Sequence, residues 1–383
     1  STRQSPKATA RFQKTWRMAT ATLNISFERS REKCRITIDN QILSRLPTSA
    51  FSGASSIAII SDDVVSKLYA NKVKSRLSKI AKTSVITFPH GEKSKNLRTC
   101  SAVASKMSDL GLDRRSVLVA LGGGVVGDIA GFVASIFKRG IKYVQAPTTL
   151  LAQVDSSIGG KTGVDTDWGK NQLGTFYQPR AIFIDPFTLD TLPRSEVING
   201  LGEMIKSGVI ADKNLFRSIE KTYSLNIQNL KPLIPQTCRI KARIVEEDER
   251  ENNLRSVLNY GHTVGHAIEA SANFRLSHGK CVILGMIAEG WIASKLGIFE
   301  ESDHERQRDL LRRIIKSSVI ETSLDTGRIL GFAQLDKKSS AASIRMALPE
   351  KIGKMHAKKN GSYLTSVSKD LLLESLQVIR REL

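Results

Sequence analysis

Short apolar runs alternate with amphipathic segments through the first half of the chain. Residues 34–39 (CRITID) and 56–61 (SIAIIS) read as strands, and 77–95 as a helix end, a strand and a polar loop. Helix, strand and glycine loop recur from Ala102 to Asp128, and further strands follow at 142–145 and 181–184. Such alternation predicts a mostly parallel sheet with helices on its faces and a ligand crevice at the carboxyl ends of the strands. From Pro186 onward the pattern changes to long amphipathic segments at 195–211, 225–248, 262–272 and 279–296. These predict a helical second domain, with a small strand near 343–348 and a closing helix over 368–382. The expected architecture is an α/β, Rossmann-like domain over 25–185 and an all-α domain over 186–383.

Residues 1–24 precede both. They carry Arg3, Lys7, Arg11, Lys14 and Arg17, with no acid before Glu28, and are rich in Ser, Thr and Ala. That composition suits a disordered arm, the remnant of an organelle transit peptide, or extra sequence ahead of a start at Met18. The remaining chain is basic too, within a formal net charge of +21. Such a field attracts anionic metabolites and, without specificity, nucleic acid. No aromatic-interleaved basic stripe argues for a specific nucleic-acid partner. No apolar stretch reaches the roughly 18 residues of a membrane span. Cys34, Cys100, Cys238 and Cys281 are far apart with no CxxC pair, so they read as small buried hydrophobes of a reducing compartment. The location expected is cytoplasmic, or plastid if the arm belongs to a transit peptide.

Two places carry chemistry. Residues 116–128 (SVLVALGGGVVGD) read as a buried strand entering a glycine loop, then a helix beginning near Ile129. Glycines at 122, 123, 124 and 127 let backbone amides approach a nucleotide diphosphate at the head of a helix. The spacing is not GxGxxG, so a plain tight turn is the alternative. Further on, His262 and His266 stand four apart in NYGHTVGHAIEA, His278 follows in RLSHGK, and Glu203 lies upstream in GLGEMIKSG. A His/His/Glu set with an open position is the donor set of a catalytic divalent metal, zinc before cobalt. Spacing by itself nominates His262 and His266 as the ligand pair. His90, His304 and His356 read as solvated residues.

Taken in order, GGGVVGDIAGFVAS, KRGIKYVQAPTTLLAQVDSSIGGKTGVD, GKNQLGTFYQP, DTLP, NGLGEMIK, DERE, LRSVLNYGHTVGHAIEA and SHGKCV resemble the 3-dehydroquinate synthases, a family of sugar-phosphate cyclases. The resemblance runs from Ser56 to Leu348. It implies conversion of 3-deoxy-D-arabino-heptulosonate 7-phosphate to 3-dehydroquinate and phosphate with NAD and a divalent metal. It gives the metal to Glu203, His262 and His278 and leaves His266 to hydrogen-bond the substrate and move protons. Glu251 takes a proton-accepting role. NAD contacts implied are Asp62, Glu92, Lys93, Ser94, Lys95, Gly123, Gly124, Val125, Asp128, Thr148, Thr149, Asp155, Lys161, Lys170, Thr188 and Thr191. Asp62, ending a strand, suits the ribose hydroxyls of NAD and repels the extra phosphate of NADP. Substrate contacts implied are Lys161, Asn171, Lys206, Lys241, Arg255, Asn259, His266 and Lys337, with Arg139 reaching in from the second subunit of a homodimer. These cations suit a substrate bearing both phosphate and carboxylate.

Three positions depart from the family pattern. Lys280 stands where a glutamate is usual after His278, Asn253 where a glycine is usual, and Val64 where a polar residue is common. The alternatives are a sister cyclase of the 2-epi-5-epi-valiolone or 2-deoxy-scyllo-inosose synthase type, a metal-dependent polyol dehydrogenase, and a catalytically inactive homologue. A sister cyclase acts on a sugar phosphate without the carboxylate and is not expected to keep Arg255, Asn259 and His266 together.

Overall fold

Aliphatic and β-branched runs build the central sheet in the computed structural model, which describes residues 21–26, 33–167, 169–222, 226–273, 275–316, 325–334 and 344–382. Its strands are β1 (Ala21–Ser26), β2 (Lys33–Ile38), β3 (Ser56–Asp62), β4 (Lys82–Phe88), β5 (Val117–Gly122) and β6 (Lys142–Pro147), completed by β9 (Ala181–Ile184). The order is β1-β2-β9-β6-β5-β3-β4, parallel throughout except for β1. β5 and β9 are buried at every residue, as parallel strands covered on both faces must be. The chain passes outward from β3 to β4 and returns to place β5 on the other side of β3. That reversal opens a crevice between the carboxyl ends of β3 and β5, where such sheets bind ligands.

Helices α1 (Asn71–Leu77), α2 (Leu97–Asp109) and α3 (Gly124–Ile136) belong to this half. The strand boundary at β1 lies inside the proposed arm, since Ala21 pairs with Ile38 and Asn24 with Arg35; residues 1–20 fall outside the described residues. Helix α3 begins at Gly124, five residues earlier than the sequence suggests. Gly127 therefore sits within the helix, and its need is close packing: a Cβ there would come 2.9 Å from Gln145 Oε1.

An unanticipated hairpin, β7 (Lys161–Thr166) with β8 (Gly169–Phe176), leaves the sheet beside α3. The second half follows as α4 (Arg194–Ala211), α5 (Lys213–Thr222), α6 (Ile227–Leu230), α7 (Ile234–Glu247), α8 (His262–Ser271), α9 (His278–Lys295), α10 (Glu301–Lys316), α11 (Thr326–Gln334) and α12 (Lys369–Glu382). It also carries two short strand pairs, β10 (Ile344–Ala347) with β13 (Leu364–Val367) and β11 (Pro349–Lys351) with β12 (Lys354–Met355). One apolar core fills this half and continues into the sheet edge through Ile36, Ile38, Ile182 and Ile184. The helical half is thus anchored on β2 and β9. All four cysteines are buried and free. His304 is buried against Phe299 rather than solvated, and exposed His90 is paired with Asp63 at 2.9 Å.

Candidate active site

Three helices meet where close backbone approach permits it. Gly279, in the first turn of α9, donates its amide to Asn199 Oδ1 of α4 at 2.5 Å, and any Cβ at 279 would overlap the Asn199 backbone. Gly261 heads α8 at φ +77°, and a Cβ there would lie 2.6 Å from Met286 Cγ of α9. Only glycine combines that conformation with that contact. Fully buried Glu289 of α9 then accepts from the amides of Gly261 (2.6 Å) and Val264 (2.9 Å), fastening the start of α8 to α9. The outcome is that His262 and His278, each opening a helix, face Glu203 in the middle of α4.

Glu203 Oε1 lies 3.4 Å from His262 Nε2 and 3.6 Å from His278 Nε2, and Oε2 is ion-paired with Lys206. Both carboxylate oxygens are buried without a well-aligned hydrogen bond. His262 Nδ1 is 3.1 Å from the Tyr260 carbonyl, so it carries the proton and turns the Nε2 lone pair toward the carboxylate. Two acceptors facing each other at this range call for a cation between them. His278 is set in the same way, its Nδ1 lying 3.4 Å from Glu269 Oε2. Burial lowers the His262 imidazole well below its ordinary value, aided by Lys206. Burial pushes Glu203 up, but Lys206 and the two histidines hold it well below the usual carboxylate range. Burial depresses His278, yet the carboxylates on either side raise it to about 9. This donor set fits a divalent metal. The ligating nitrogens of His262, His266 and His278 all lie within 4.8 Å of one another, so His266 stands at the same spot from the open side. The histidine group and the Glu203 contacts thus share His262 and His278.

The nucleotide crevice is made of other materials. Gly123 caps α3 with no side-chain hydrogen bond to its first-turn amides, and a Cβ on Gly123 would come 3.0 Å from Thr149 Cγ2. A Cβ on Gly124 would meet Ser156 Oγ at 3.1 Å, so side chains there would fill the cradle. That fits a phosphate group at a helix N-terminus. The neighbouring side chains are tied together: Lys95 pairs with Asp128 at 2.5 Å and with Asn171 Oδ1 at 2.6 Å, while Lys170 reaches Glu92 at 3.2 Å. Asp62 accepts the Val64 and Val65 amides through Oδ1. Ser94 Oγ turns inward to the Pro89 carbonyl, and Lys93 and Val125 stand at the rim. Thr148 Oγ1 is buried with no hydrogen-bond partner among the described residues, whereas the Thr188 hydroxyl is taken up by the Asp185 carbonyl at 2.8 Å and Gln153 Nε2 at 3.0 Å. Thr191 Oγ1 meets Tyr69 at 2.6 Å.

Between the two lies a wall of cations. Buried Lys241 pairs with Asp155 at 2.6 Å and lies within the field of Lys206 and Arg255. Burial lowers its ammonium, and those two neighbours lower it further against Asp155. Buried Arg255 donates to the carbonyls of Glu249 (2.5 Å) and Gly159 (3.1 Å), with Nε unpartnered. Glu251, at φ +61°, is gripped by Lys161 and by Asn259 Nδ2. Arg139 is exposed in a turn of three successive positive-φ residues, 138–140. Lys337 falls outside the described residues.

Family models described as 3-dehydroquinate synthase N-terminal and C-terminal match residues 85–199 and 200–339. The chain belongs to the 3-dehydroquinate synthase family. It is 45% identical over 311 residues to the 3-dehydroquinate synthase of Thermodesulfovibrio yellowstonii, covering 80% of this chain and 87% of that one. It is 41% identical over 320 residues to that of Clostridium acetobutylicum, covering 81% and 90%. Among solved structures, 2-deoxy-scyllo-inosose synthase complexed with carbaglucose-6-phosphate, NAD+ and Co2+ aligns with a TM-score of 0.85 at 29% identity, over 95% of this chain and all of that one. A 2-epi-5-epi-valiolone synthase from Streptomyces hygroscopicus subsp. jinggangensis 5008, with NAD+ and Zn2+ bound, shares the fold with a TM-score of 0.81 at 24% identity, over 96% and 99% of the two chains. The sister cyclases are thus relatives in fold, and the sequence relatives named here are 3-dehydroquinate synthases.

Two polar residues of this 3-dehydroquinate synthase family site, Glu269 and Glu289, are not singled out by the sequence, and a third, Asp165, is read wrongly. Asp165 reads as a loop residue but lies in β7, accepts the Asn171 amide at 2.8 Å and donates its own amide to the Lys95 carbonyl. Glu269 lies inside the HTVGHAIEA motif, but nothing in its spacing marks which neighbour it will meet.

Proposed function

We propose that the chain catalyses the family reaction, releasing phosphate from 3-deoxy-D-arabino-heptulosonate 7-phosphate to give 3-dehydroquinate, with NAD and a divalent metal. The observation that carries this is buried Glu203, whose Oε1 faces the Nε2 atoms of His262 and His278 while Oε2 is ion-paired with Lys206. NAD supplies a reversible hydride acceptor and the metal a Lewis acid, so that a ring hydroxyl is transiently a ketone, the adjacent C–H becomes acidic, and phosphate leaves before reduction, ring opening and aldol closure.

Glu203, His262 and His278 hold the metal, and Gly123, Gly124 and Val125 offer amides to the dinucleotide phosphates. Lys206, Lys241 and Arg255 crowd positive charge into a buried wall where Asp155 is the carboxylate ion-paired with Lys241. Lys206 also pairs with Glu203, and Arg255 lies in the field of Glu251, Asp155 and Asp248, so an anionic substrate binds by taking over such contacts, and the guanidinium suits a carboxylate. Glu251, oriented by Lys161 and Asn259, accepts a proton, and His266 serves the open face of the metal. Arg139, exposed and aimed by its positive-φ turn, completes the site of a second copy in a homodimer.

The test is phosphate release from 3-deoxy-D-arabino-heptulosonate 7-phosphate, with and without chelator, in the wild type, Lys161→Ala and His262→Ala. Release that stops with chelator and in both variants is expected. Turnover of sedoheptulose 7-phosphate or glucose 6-phosphate alone rejects the substrate, and stoichiometric NADH accumulation rejects cyclase chemistry.

A further inference from the structure

Glu269 lies seven residues along α8 from His262 and is buried, yet the chemistry above gives it no part. Its two oxygens point at different halves of the molecule. Oε2 lies 3.4 Å from His278 Nδ1, and Oε1 lies 2.7 Å from Lys170 Nζ in the β7–β8 hairpin. Lys170 continues to Glu92 Oε1 at 3.2 Å, in the turn after β4 that also holds Lys95. Asn171, next to Lys170, holds Lys95, and Lys95 holds Asp128 in the first turns of α3. A series of polar contacts, joined by the one backbone step from Lys170 to Asn171, therefore runs from the proposed metal ligand to the glycine-headed helix. Glu269 is the one residue in it that touches both the helical half and the hairpin.

We propose that Glu269 is a positioning residue that couples metal binding to NAD binding. This rests on the cofactor assignment above. A carboxylate accepting from His278 Nδ1 fixes the ring with Nε2 toward the metal and makes that nitrogen a better donor. A cation on His278 draws the Nδ1 proton more firmly onto Oε2, which fixes the carboxylate. The other oxygen then holds Lys170, and with it the turn carrying Glu92 and Lys95, in the position the dinucleotide meets. By linkage the influence is mutual: whatever factor metal adds to NAD affinity, NAD adds to metal affinity.

The measurement is a set of four dissociation constants: NAD by calorimetry with and without Zn2+, and Zn2+ by competition with a chromophoric chelator with and without NAD. These are taken on the intact wild-type chain, Glu269→Gln, Glu269→Ala and Lys170→Met. In the wild type each ligand is expected to tighten the other by about 5-fold or more. In Glu269→Ala, Zn2+ affinity falls about 10- to 100-fold and the mutual tightening is lost. Glu269→Gln still accepts from His278, so it recovers much of the Zn2+ affinity but not the coupling, because its amide cannot pair with Lys170. Lys170→Met, which touches no proposed metal ligand but lies among the expected NAD contacts, weakens NAD by itself, leaves Zn2+ affinity without NAD unchanged, and abolishes the coupling, which is read as the ratio of each affinity with and without the other ligand. That variant decides the matter if the Glu269 variants fail to fold. Coupling that survives in Lys170→Met, or a wild type binding both ligands independently, overturns the inference while leaving the proposed function standing. A wild type that binds neither ligand overturns the cofactor assignment itself.

Discussion

The sheet half and the helical half hold the same proposed reactants by opposite means. At the crevice the chain offers backbone: Gly123 heads α3 with its first-turn amides uncapped by side chains, and the charges around it, such as Lys95 and Asp128, already satisfy each other. Across the site the chain offers side chains forced together by packing, with Glu203, Lys206, His262 and His278 gathered on three helices. The first arrangement asks for small residues at a few positions and is otherwise self-contained. The second concentrates buried charge that the protein leaves incompletely paired, and only a ligand completes it. Burying charge so costs stability unless every partner stays in place.

That asymmetry is best broken at Glu203. Glu203→Gln removes the charge facing Lys206, an ammonium only 2% exposed, and spoils the metal site together. Losing one partner of a buried pair costs about 3–5 kcal/mol, and losing a Lewis acid worth several kcal/mol lowers phosphate release by about 10^3-fold. Urea unfolding and a phosphate assay check both; an unchanged unfolding midpoint would mean that Lys206 does not depend on Glu203. Gly279→Val attacks the packing instead of the charge. It drives α9 away from Asn199 at the turn that carries His278, so a loss of about 1–3 kcal/mol with weaker Zn2+ binding is expected, read by the same denaturant series and by chelator competition. In the sheet half, Gly123→Ala keeps an ordinary φ of −78° and meets only the Thr149 methyl. Stability should move by less than about 1 kcal/mol, while the NAD dissociation constant measured by calorimetry rises about tenfold.

The contrast also explains what could be read from the sequence. Apolar runs disclose the sheet because its central strands β3, β5, β6 and β9 are buried almost throughout, and Ala181–Ile184 has the boundaries read from the sequence. The β7–β8 hairpin stayed hidden because β8 is largely exposed, so Gly169–Phe176 shows no apolar alternation to mark it. The glycines at the head of α3 read as loop, which places its start too late, whereas Gly127 is demanded by Gln145 of a neighbouring strand. In the site, residue types and spacing suggest a His/His/Glu donor set with His262 and His266 as the pair, and the family resemblance is what assigns the metal to Glu203, His262 and His278. Glu269 and Glu289 are not singled out, because an acid on a helix is ordinary until the fold shows what it faces. Motifs reveal the atoms that touch ligands; the residues that aim those atoms are chosen by tertiary packing.

Asp62 is where the comparison is most finely balanced, since it is a side chain placed in the half that works through backbone. Its Oδ1 already accepts the Val64 and Val65 amides at 2.9 and 2.7 Å, which is the work of a cap. Asn caps about as well as Asp, so Asp62→Asn should leave the thermal midpoint in place. What it removes is the negative charge expected to favour ribose hydroxyls and to repel the additional phosphate of NADP. The expected result is an NAD dissociation constant raised about threefold to fivefold, under about 1 kcal/mol, with discrimination against NADP reduced by more than that. Calorimetric titration of both dinucleotides reads the two numbers side by side. If neither dinucleotide is affected, Asp62 serves the turn alone, and the sheet half meets its nucleotide through backbone more completely than the present comparison holds.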